Sequence, residues 1–289
     1  MSVGLSYAPP RAPPTIRFMA LGDSITDGGT KHRAYRYHLH KLLSKTHHRF
    51  QWVGSMQGIY DLHKGRNATT GRCLRWEDDW PLEAQRHEGH WGWTARQVLH
   101  GHQRQPQRGM LTTWLKQAKR SQSVPHVAMV HLGTNDLTKH VMKEEEDVGQ
   151  LVRLMREILG RLCRARAQML LLVASPIPYC RFQTAEQRER RRQLEIEFSH
   201  GLLVMTSRRI LSCRPKRVLF LNMSKAVRCE HLAGVDGVHP TAFVAMQMAR
   251  QWLRCDEHVK AVNQPLPVSG GQCGESVLAV YQGARAVVT

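Results

Sequence analysis

The sequence predicts an α/β protein in which helices cover both faces of a parallel sheet. Short apolar runs rich in Val, Ile, Leu and Phe alternate along the chain with longer segments of helical periodicity. The runs have the length of buried strands. Because parallel strands need a crossover connection, usually a helix, this alternation favours a parallel sheet over an antiparallel one.

Five segments are predicted strands because each is a short apolar run bounded by Gly, Pro or polar residues. They are residues 16–21, 50–53, 127–132, 169–174 and 218–221. The fourth is stopped by Pro176 and Pro178, since proline interrupts a central strand. In such sheets the functional groups lie on loops beyond the carboxyl ends of the strands.

Helices are predicted between these strands. The most periodic one has an apolar face formed by Val148, Leu151, Val152, Met155, Ile158, Leu159 and Leu162. An earlier helix over 33–45 has its apolar face at Tyr35, Leu39, Leu42 and Leu43. A later basic helix contains Arg188, Arg190, Arg191 and Arg192. The last helix begins at Pro240 and spaces its apolar residues four apart, at Val244, Met248 and Trp252.

The length of 289 residues predicts one large domain with tails. We expect a flexible N-terminal segment over 1–14, the domain over 15–255 and a C-terminal tail over 256–289, where the pattern fades. A hydrophobic content of 42% argues against a wholly disordered chain, and no apolar stretch is long enough to span a membrane. No signal peptide is recognisable, so a cytoplasmic location is the default and the compartment stays open.

The charge balance is strongly basic, with 42 Lys and Arg against 23 Asp and Glu and a net charge of +19. This balance is typical of proteins with anionic partners such as nucleic acid, glycans or membrane surfaces. The basic residues are scattered, however, and neither an RNA-binding signature nor a zinc-finger spacing is present. We therefore expect a solvated basic surface with weak polyanion binding at most.

The cysteines predict no framework of disulfides. The chain has seven of them, without a Cys-x-x-Cys pair, and the odd number leaves at least one thiol in an isolated chain. Reduced structural thiols are the default expectation, and a single disulfide is the alternative.

Polar loops follow the first, third and fifth predicted strands. Ser24 can present its hydroxyl above the sheet, and Asn135 can donate a side-chain N–H to an oxyanion. Asp236 and His239 can pair, so that the carboxylate orients one imidazole nitrogen and leaves the other as a general base. Because parallel strands end at the same sheet edge, nucleophile, amide donor and base would converge, which is the geometry of acyl transfer.

Each loop also has a simpler structural interpretation, which is favoured when the loop is taken alone. A serine after a strand is commonly a helix N-cap. Asn135 can form an Asx turn while Asp136 caps a helix. The segment from Asp236 to His239 can be a turn before the helix at Pro240. Only the shared position of the loops at one sheet edge favours catalysis.

These residues resemble the SGNH hydrolases, also called the GDSL esterase superfamily, over roughly residues 16–254. The resemblance implies a flavodoxin-like, three-layer α/β/α sandwich. It implies catalytic roles for Ser24, Asp236 and His239, in Gly-Asp-Ser and Asp-x-x-His blocks. It further implies an oxyanion hole formed by Ser24, by the backbone of Gly92 in Gly-Trp-Thr and by Asn135 in Gly-Thr-Asn-Asp.

A closer resemblance is to the acetylxylan-esterase branch, carbohydrate esterase family three. It rests on Trp52-Val-Gly-Ser55, His87-Glu-Gly-His-Trp-Gly-Trp93 and His131-Leu-Gly-Thr-Asn-Asp136. In that branch the second block usually reads His-Glu-Gly-His-Pro-Gly-Trp, so Trp91 stands in place of a proline. This resemblance implies acetyl groups on a plant-type polysaccharide as the substrate.

We therefore expect a monomeric serine esterase that removes acetyl groups from a small-molecule or polysaccharide ester and needs no cofactor. A lysophospholipase-like or general lipid ester hydrolase of the same superfamily is the first alternative. A basic polyanion-binding protein without turnover is the second. The complete set of Ser, Gly, Asn, Asp and His argues against that second alternative.

The segment from His87 to His90 also invites a zinc assignment. A metalloprotease helix needs its two histidines four residues apart with a glutamate as base. Here the histidines are three apart and Gly89, a poor helix former, lies between them. We therefore expect no metal and assign Glu88 to bracing the loop.

Overall fold

The computed structural model describes residues 15–29, 34–61, 66–67, 80–102, 111–143, 147–182, 184–207, 217–232 and 236–253. The strands are β1 (Ile16–Gly22), β2 (Phe50–Trp52), β3 (Met56–Gln57), β4 (Tyr60–Asp61), β5 (Arg66–Asn67), β6 (Arg86–Gly89), β7 (Val127–His131), β8 (Leu170–Ala174) and β9 (Val218–Leu221). The helices are α1 (Ser24–Asp27), α2 (Tyr35–Leu43), α3 (Ala95–His100), α4 (Leu111–Arg120), α5 (Thr134–Lys143), α6 (Val148–Ala165), α7 (Ala185–Ser207) and α8 (Ala242–Leu253). The predicted tails over 1–14 and 256–289 lie outside these described residues.

One seven-stranded sheet has the order β3-β6-β1-β7-β8-β9, with β2 also paired to β1. Strand β1 shares one edge between two partners: its first residues pair with β2, and Leu21 and Gly22 pair with Glu88 and Gly89 of β6. Its other edge pairs with β7, followed by β8 and β9. These pairings are all parallel, whereas β3 pairs antiparallel with β6. The predicted α/β class with a parallel sheet is confirmed.

The core lies on both faces of this sheet, as alternation along β1 shows. Phe18 and Ala20 belong to one buried cluster, together with apolar residues of α2 and α8. Met19 and Leu21 belong to the other, together with apolar residues of α3, α4, α6 and α7. Because successive side chains of a strand point to opposite faces, the sheet forms the middle of three layers.

The five predicted strands are all present, with ends that differ by a residue or less from the apolar runs. The predicted helices also appear, as α2, α6, α7 and α8. Strand β6 was not predicted, because its sequence is Arg-His-Glu-Gly and carries no apolar alternation. Its His87 and Glu88 are nevertheless buried by the surrounding chain. Helix α5 begins at Thr134, inside a segment that we had treated as a loop.

The expectation of reduced thiols is wrong for Cys180 and Cys229, which form a disulfide with a Cα–Cα distance of 5.6 Å. The two cysteines lie 49 residues apart in sequence, and spacing alone cannot reveal which pairs the fold brings together. The backbone N–H of Cys180 also donates to the carbonyl of Gly237, 2.7 Å away. The disulfide therefore joins Cys229 to Cys180, the residue that is hydrogen-bonded to the Asp236–His239 turn at Gly237.

In the part of the chain that the structure describes, no helix combines the length and hydropathy needed to cross a bilayer.

Candidate active site

Ser24 lies at the end of β1, as the first residue of the short helix α1. The N-cap of this helix is Asp23, whose Oδ1 accepts from the N–H of Ile25 at 3.0 Å. The interpretation of Ser24 as the N-cap is therefore wrong, because the preceding residue has that role and leaves the serine hydroxyl available. The turn demands glycine at position 22, since a Cβ there would lie 2.1 Å from Oγ1 of Thr26.

Three side chains from two loops form one hydrogen-bonded chain. Oγ of Ser24 lies 2.9 Å from Nε2 of His239. On the other side of the ring, Nδ1 lies 2.7 Å from Oδ2 of Asp236. Ser24 and His239 are both buried, at 6% and 9% exposure. The structure thus brings together three side chains predicted from loops more than 200 residues apart in sequence.

Asp236 is held by the backbone of its own turn. Its Oδ1 accepts from the N–H of Val238 at 3.0 Å and from the N–H of His239 at 2.8 Å. Partial burial alone would raise the pKa of Asp236, but the hydrogen bonds from the His239 ring and from these N–H groups hold it well below its usual value. The predicted turn and the predicted Asp–His pair therefore exist together, and the carboxylate is ionised when it faces the imidazole.

The hydrogen bonds among these three side chains allow the imidazole of His239 to accept the proton of the Ser24 hydroxyl. When the Nδ1–H group of His239 donates a hydrogen bond to the Asp236 carboxylate, Nε2 is unprotonated and can accept the proton of the Ser24 hydroxyl. The serine oxygen can then attack a carbonyl carbon, and the ionised carboxylate stabilises the imidazolium that forms. This is the arrangement of an acyl-transfer site.

Gly92 and Asn135, the two other predicted site residues, lie in neighbouring segments, the turn before α3 and the start of α5. Gly92 is exposed and has a φ of 75°, a backbone conformation that favours glycine. Asn135 lies in the first turn of α5, and its Nδ2 donates to the carbonyl of Trp93 at 2.9 Å. That bond uses one of the two protons on Nδ2 and leaves the second for another acceptor.

Asp136 connects these two segments by hydrogen bonds. Both of its carboxylate oxygens lie 3.1 Å from the N–H of Ala95, the first residue of α3. This agrees with the interpretation of Asp136 as a helix-capping residue. The helix is not α5, in which Asp136 lies, but α3, whose N-cap residue is Thr94. Thr94 completes that helix start by accepting from the N–H of Gln97.

The sequence matches the family described as GDSL-like Lipase/Acylhydrolase over residues 18–252. The chain belongs to the GDSL-like lipase/acylhydrolase family. It is therefore a carboxylic ester hydrolase, and the match covers the loops that contain Ser24, Gly92, Asn135 and His239. Among curated proteins, none has a significant sequence match to this chain.

Solved structures of similar fold include two esterases and a lipase. A family 3 carbohydrate esterase of Clostridium thermocellum has a TM-score of 0.54 at 19% identity, over 83% of this chain and 94% of that one. A carbohydrate esterase family 3 protein of Talaromyces cellulolyticus has a TM-score of 0.55 at 19% identity, over 93% and 99%. The lipase Lip_vut3 from a goat rumen metagenome has a TM-score of 0.52 at 12% identity, over 82% and 96%. At these identities the likeness concerns the fold.

Burial raises the pKa of Asp136 to about 7 in this GDSL-like hydrolase, although the N–H of Ala95 acts to lower it. Ionisation of Asp136 in the folded protein therefore lowers the free energy of unfolding by on the order of a few kcal/mol. This destabilisation is fully present above about pH 7 and disappears as the pH falls toward 4. We predict that Asp136→Asn, which keeps an acceptor but cannot ionise, gains stability relative to the wild type as the pH rises from 5 to 8. Thermal midpoints of both proteins across this range measure the difference, and a constant difference would contradict the prediction.

The segment from His87 to His90 is held by hydrogen bonds within itself and to Ser55, and Glu88 makes the structural contacts that we expected of it. The carboxylate of Glu88 accepts from the backbone N–H of Ser55 and, at 3.0 Å, from the hydroxyl of Ser55. Nε2 of His90 lies 3.2 Å from the same carboxylate, and Nδ1 of His87 accepts from the N–H of Gly89 at 2.9 Å. Within the described ranges no group of three His, Cys, Asp or Glu side chains is placed to hold a metal.

We predict that turnover of the hydrolase is unchanged after dialysis against a chelator. The hydrogen-bonded arrangement of Ser24, His239 and Asp236 can activate an attacking oxygen by proton transfer, which requires no Lewis acid. Steady-state rates before and after chelation, with zinc added back to one sample, are the measurement. A loss that zinc restores would instead assign His87 and His90 to a metal site.

Two buried arginines support the site of this GDSL-like hydrolase, and sequence reasoning missed both roles. Arg36 donates to the carbonyls of Thr26 and Asp27, each at 2.7 Å, and so fixes the end of α1. Arg191, from the predicted basic helix, is 1% exposed and donates to the carbonyl of Thr134 at 3.0 Å, beside Asn135. The i,i+4 spacing of Arg191 and Glu195, which pair at 2.6 Å, was the only available signal, and surface pairs share it.

Proposed function

We propose that this GDSL-like hydrolase is a serine esterase in which Ser24 is the nucleophile, His239 the general base and acid, and Asp236 the orienting carboxylate. The observation that carries the proposal is the hydrogen-bonded chain from Ser24 through His239 to Asp236. The positions of Ser24, Gly92 and Asn135, which each follow the carboxyl end of a parallel strand, support the proposal, as does the contact of His239 with Ser24.

In the first half-reaction, Nε2 of His239 takes the proton of Ser24 while Oγ forms a bond to the ester carbonyl carbon. The negative charge that develops on the carbonyl oxygen is held by the N–H groups of Ser24 and Gly92 and by Nδ2 of Asn135. The C–O bond to the alcohol then breaks, and the imidazolium gives its proton to the leaving oxygen. Acyl-Ser24 remains.

In the second half-reaction, His239 removes a proton from water, whose oxygen attacks the acyl carbon. The bond to Oγ of Ser24 breaks, the imidazolium returns the proton to the serine, and the carboxylic acid is released. The ionised Asp236 is suited to stabilising the imidazolium in both halves, since its pKa is held well below the usual value. No other group has to change its charge.

We propose acetyl esters of a carbohydrate as the substrate. The block from His87 to Trp93 supports this, as does the fold shared with two family 3 carbohydrate esterases. Lipid ester hydrolysis is the alternative, supported by the fold shared with the goat rumen lipase. A polyanion-binding protein without turnover, the third alternative, has only the net charge of +19 in its support and is opposed by the family match.

A panel of substrates separates these alternatives. The test compares 4-nitrophenyl esters from acetate to decanoate, acetylated xylan and lysophosphatidylcholine, with Ser24→Ala as the control for background hydrolysis. Release of acetate from xylan and a preference for the acetate ester would support the carbohydrate assignment. A preference for long acyl chains would overturn it in favour of lipid esters. Salt-sensitive polyanion binding without hydrolysis of any ester would contradict the assignment of the protein as an esterase.

A further inference from the structure

Trp91 lies flat against the proposed catalytic imidazole. Its indole and the ring of His239 have centroids 4.7 Å apart and planes 13° apart. Tyr60 also stacks on this indole, with centroids 4.9 Å apart and planes again 13° apart. We call these three rings the aromatic stack, in which the indole of Trp91 contacts both other rings.

The aromatic stack is connected by backbone hydrogen bonds to α1, the helix that contains Ser24. The N–H of Tyr60 donates to the carbonyl of Gly28 at 3.0 Å, and the N–H of Gly28 donates to the carbonyl of Ser24 at 2.8 Å. A Cβ on Gly29 would lie 2.9 Å from the indole, so this glycine lets the backbone approach the ring closely. The contacts form a closed circuit from Ser24 through Tyr60, Trp91 and His239 back to the serine hydroxyl.

We propose that Trp91 is a positioning residue that fixes the plane of the His239 imidazole, an inference that rests on the proposed function. The bonds to Asp236 and Ser24 hold the two ring nitrogens, but by themselves they leave freedom in the tilt of the ring plane. A flat indole against one face removes this freedom and keeps Nε2 directed at Ser24. Trp91 also immediately precedes Gly92, so the same side chain anchors the loop that holds the proposed oxyanion donor.

The indole also acts on the charge of the ring. When His239 accepts the serine proton it becomes a cation, and a cation over the face of a tryptophan is attracted by the ring quadrupole. This attraction exists only after the proton has moved, so it lowers the barrier without strengthening substrate binding. Loss of the indole should therefore appear in kcat rather than in KM.

The experiment measures steady-state kinetics on Trp91→Ala, Trp91→Phe and Tyr60→Ala with the chromogenic acetate ester. We expect Trp91→Ala to lower kcat by about 10- to 100-fold with little change in KM. Trp91→Phe, which keeps an aromatic face, should restore most of kcat. Tyr60→Ala should cost less, and adding it to Trp91→Ala should cost nothing further, because Tyr60 acts through the indole.

A matched control exists on α8, where the half-exposed Phe243 packs edge-on against His231 with centroids 5.4 Å apart. Phe243→Ala also removes an aromatic ring from a histidine, and it should keep the wild-type kcat. Wild-type kcat in Trp91→Ala, or full additivity with Tyr60→Ala, would overturn the positioning role. A rise in KM alone would overturn it too, because it would assign Trp91 to substrate binding.

Nuclear magnetic resonance provides a measurement that does not depend on turnover. The ring current of the indole should shift the carbon-bound imidazole protons of His239 upfield, and Trp91→Leu should abolish that shift. Signals that stay in place in Trp91→Leu would overturn the stack itself. A wild-type protein with shifted signals but no hydrolysis of any ester would overturn the proposed function, and with it the catalytic role of the stack.

Discussion

Replacing Ser24 with Ala is expected to lower ester hydrolysis by about 10⁴-fold or more, and replacing His239 with Ala should have a comparable effect. The first change removes the attacking oxygen, and the second removes the group that accepts its proton at 2.9 Å. Because nucleophile and base act as a unit, the double variant should be no worse than either single one.

Controls for this prediction come from the same residue types outside the site. Ser121 and His47 are exposed, and Ser121→Ala and His47→Ala should keep wild-type rates. Circular dichroism and thermal midpoints should show that all variants fold, since the serine hydroxyl contributes no core packing. Turnover near the wild-type level in purified Ser24→Ala or His239→Ala would exclude the proposed mechanism.

The elements that the sequence predicted well are those whose burial is apolar. Strands β1, β7 and β8 are nearly continuous apolar runs because both faces of a central parallel strand are covered. Strand β6 escaped detection for the opposite reason. Its His87 and Glu88 are buried through hydrogen bonds to Gly89 and Ser55, and periodicity carries no information about polar burial.

The side chains that face the proposed reaction could be predicted because they stand in short blocks of recognisable sequence, Gly-Asp-Ser, Gly-Thr-Asn-Asp and Asp-x-x-His. The residues that hold those blocks together could not. Asp136 of α5 accepts from the first N–H of α3, and Arg191 of α7 donates to the carbonyl of Thr134, 57 residues away. Such contacts depend on which elements become neighbours in the fold, and a single sequence contains no direct record of that.

Trp91 illustrates the same limit. In the sequence it was only a departure from the proline usual in the acetylxylan-esterase branch. Its neighbours in space, Tyr60 and His239, lie 31 and 148 positions away in the numbering, so no local pattern joins them. A residue that looks like a defect in a motif thus lies against the ring on which the proposed chemistry depends.

Asn135→Ala is expected to lower kcat by about 10²–10³-fold with little change in KM. The proton of Nδ2 that is not bonded to Trp93 is the proposed donor to the oxyanion, and it acts mainly when negative charge develops on the carbonyl oxygen. The variant also loses the bond to Trp93, which should lower the free energy of unfolding by about 1 kcal/mol. A large decrease in kcat should therefore accompany a small decrease in the thermal midpoint.

Asn222→Ala separates these two effects. Asn222 follows β9 at the same edge of the sheet, and its side chain accepts one hydrogen bond from Ser224 at 2.6 Å. Its replacement removes a comparable local bond without touching the proposed oxyanion hole, so it should lower the thermal midpoint slightly and leave kcat unchanged. If Asn135→Ala behaves like this control, the side chain of Asn135 only supports the turn, and the oxyanion must be held by the backbone N–H groups of Ser24 and Gly92 alone.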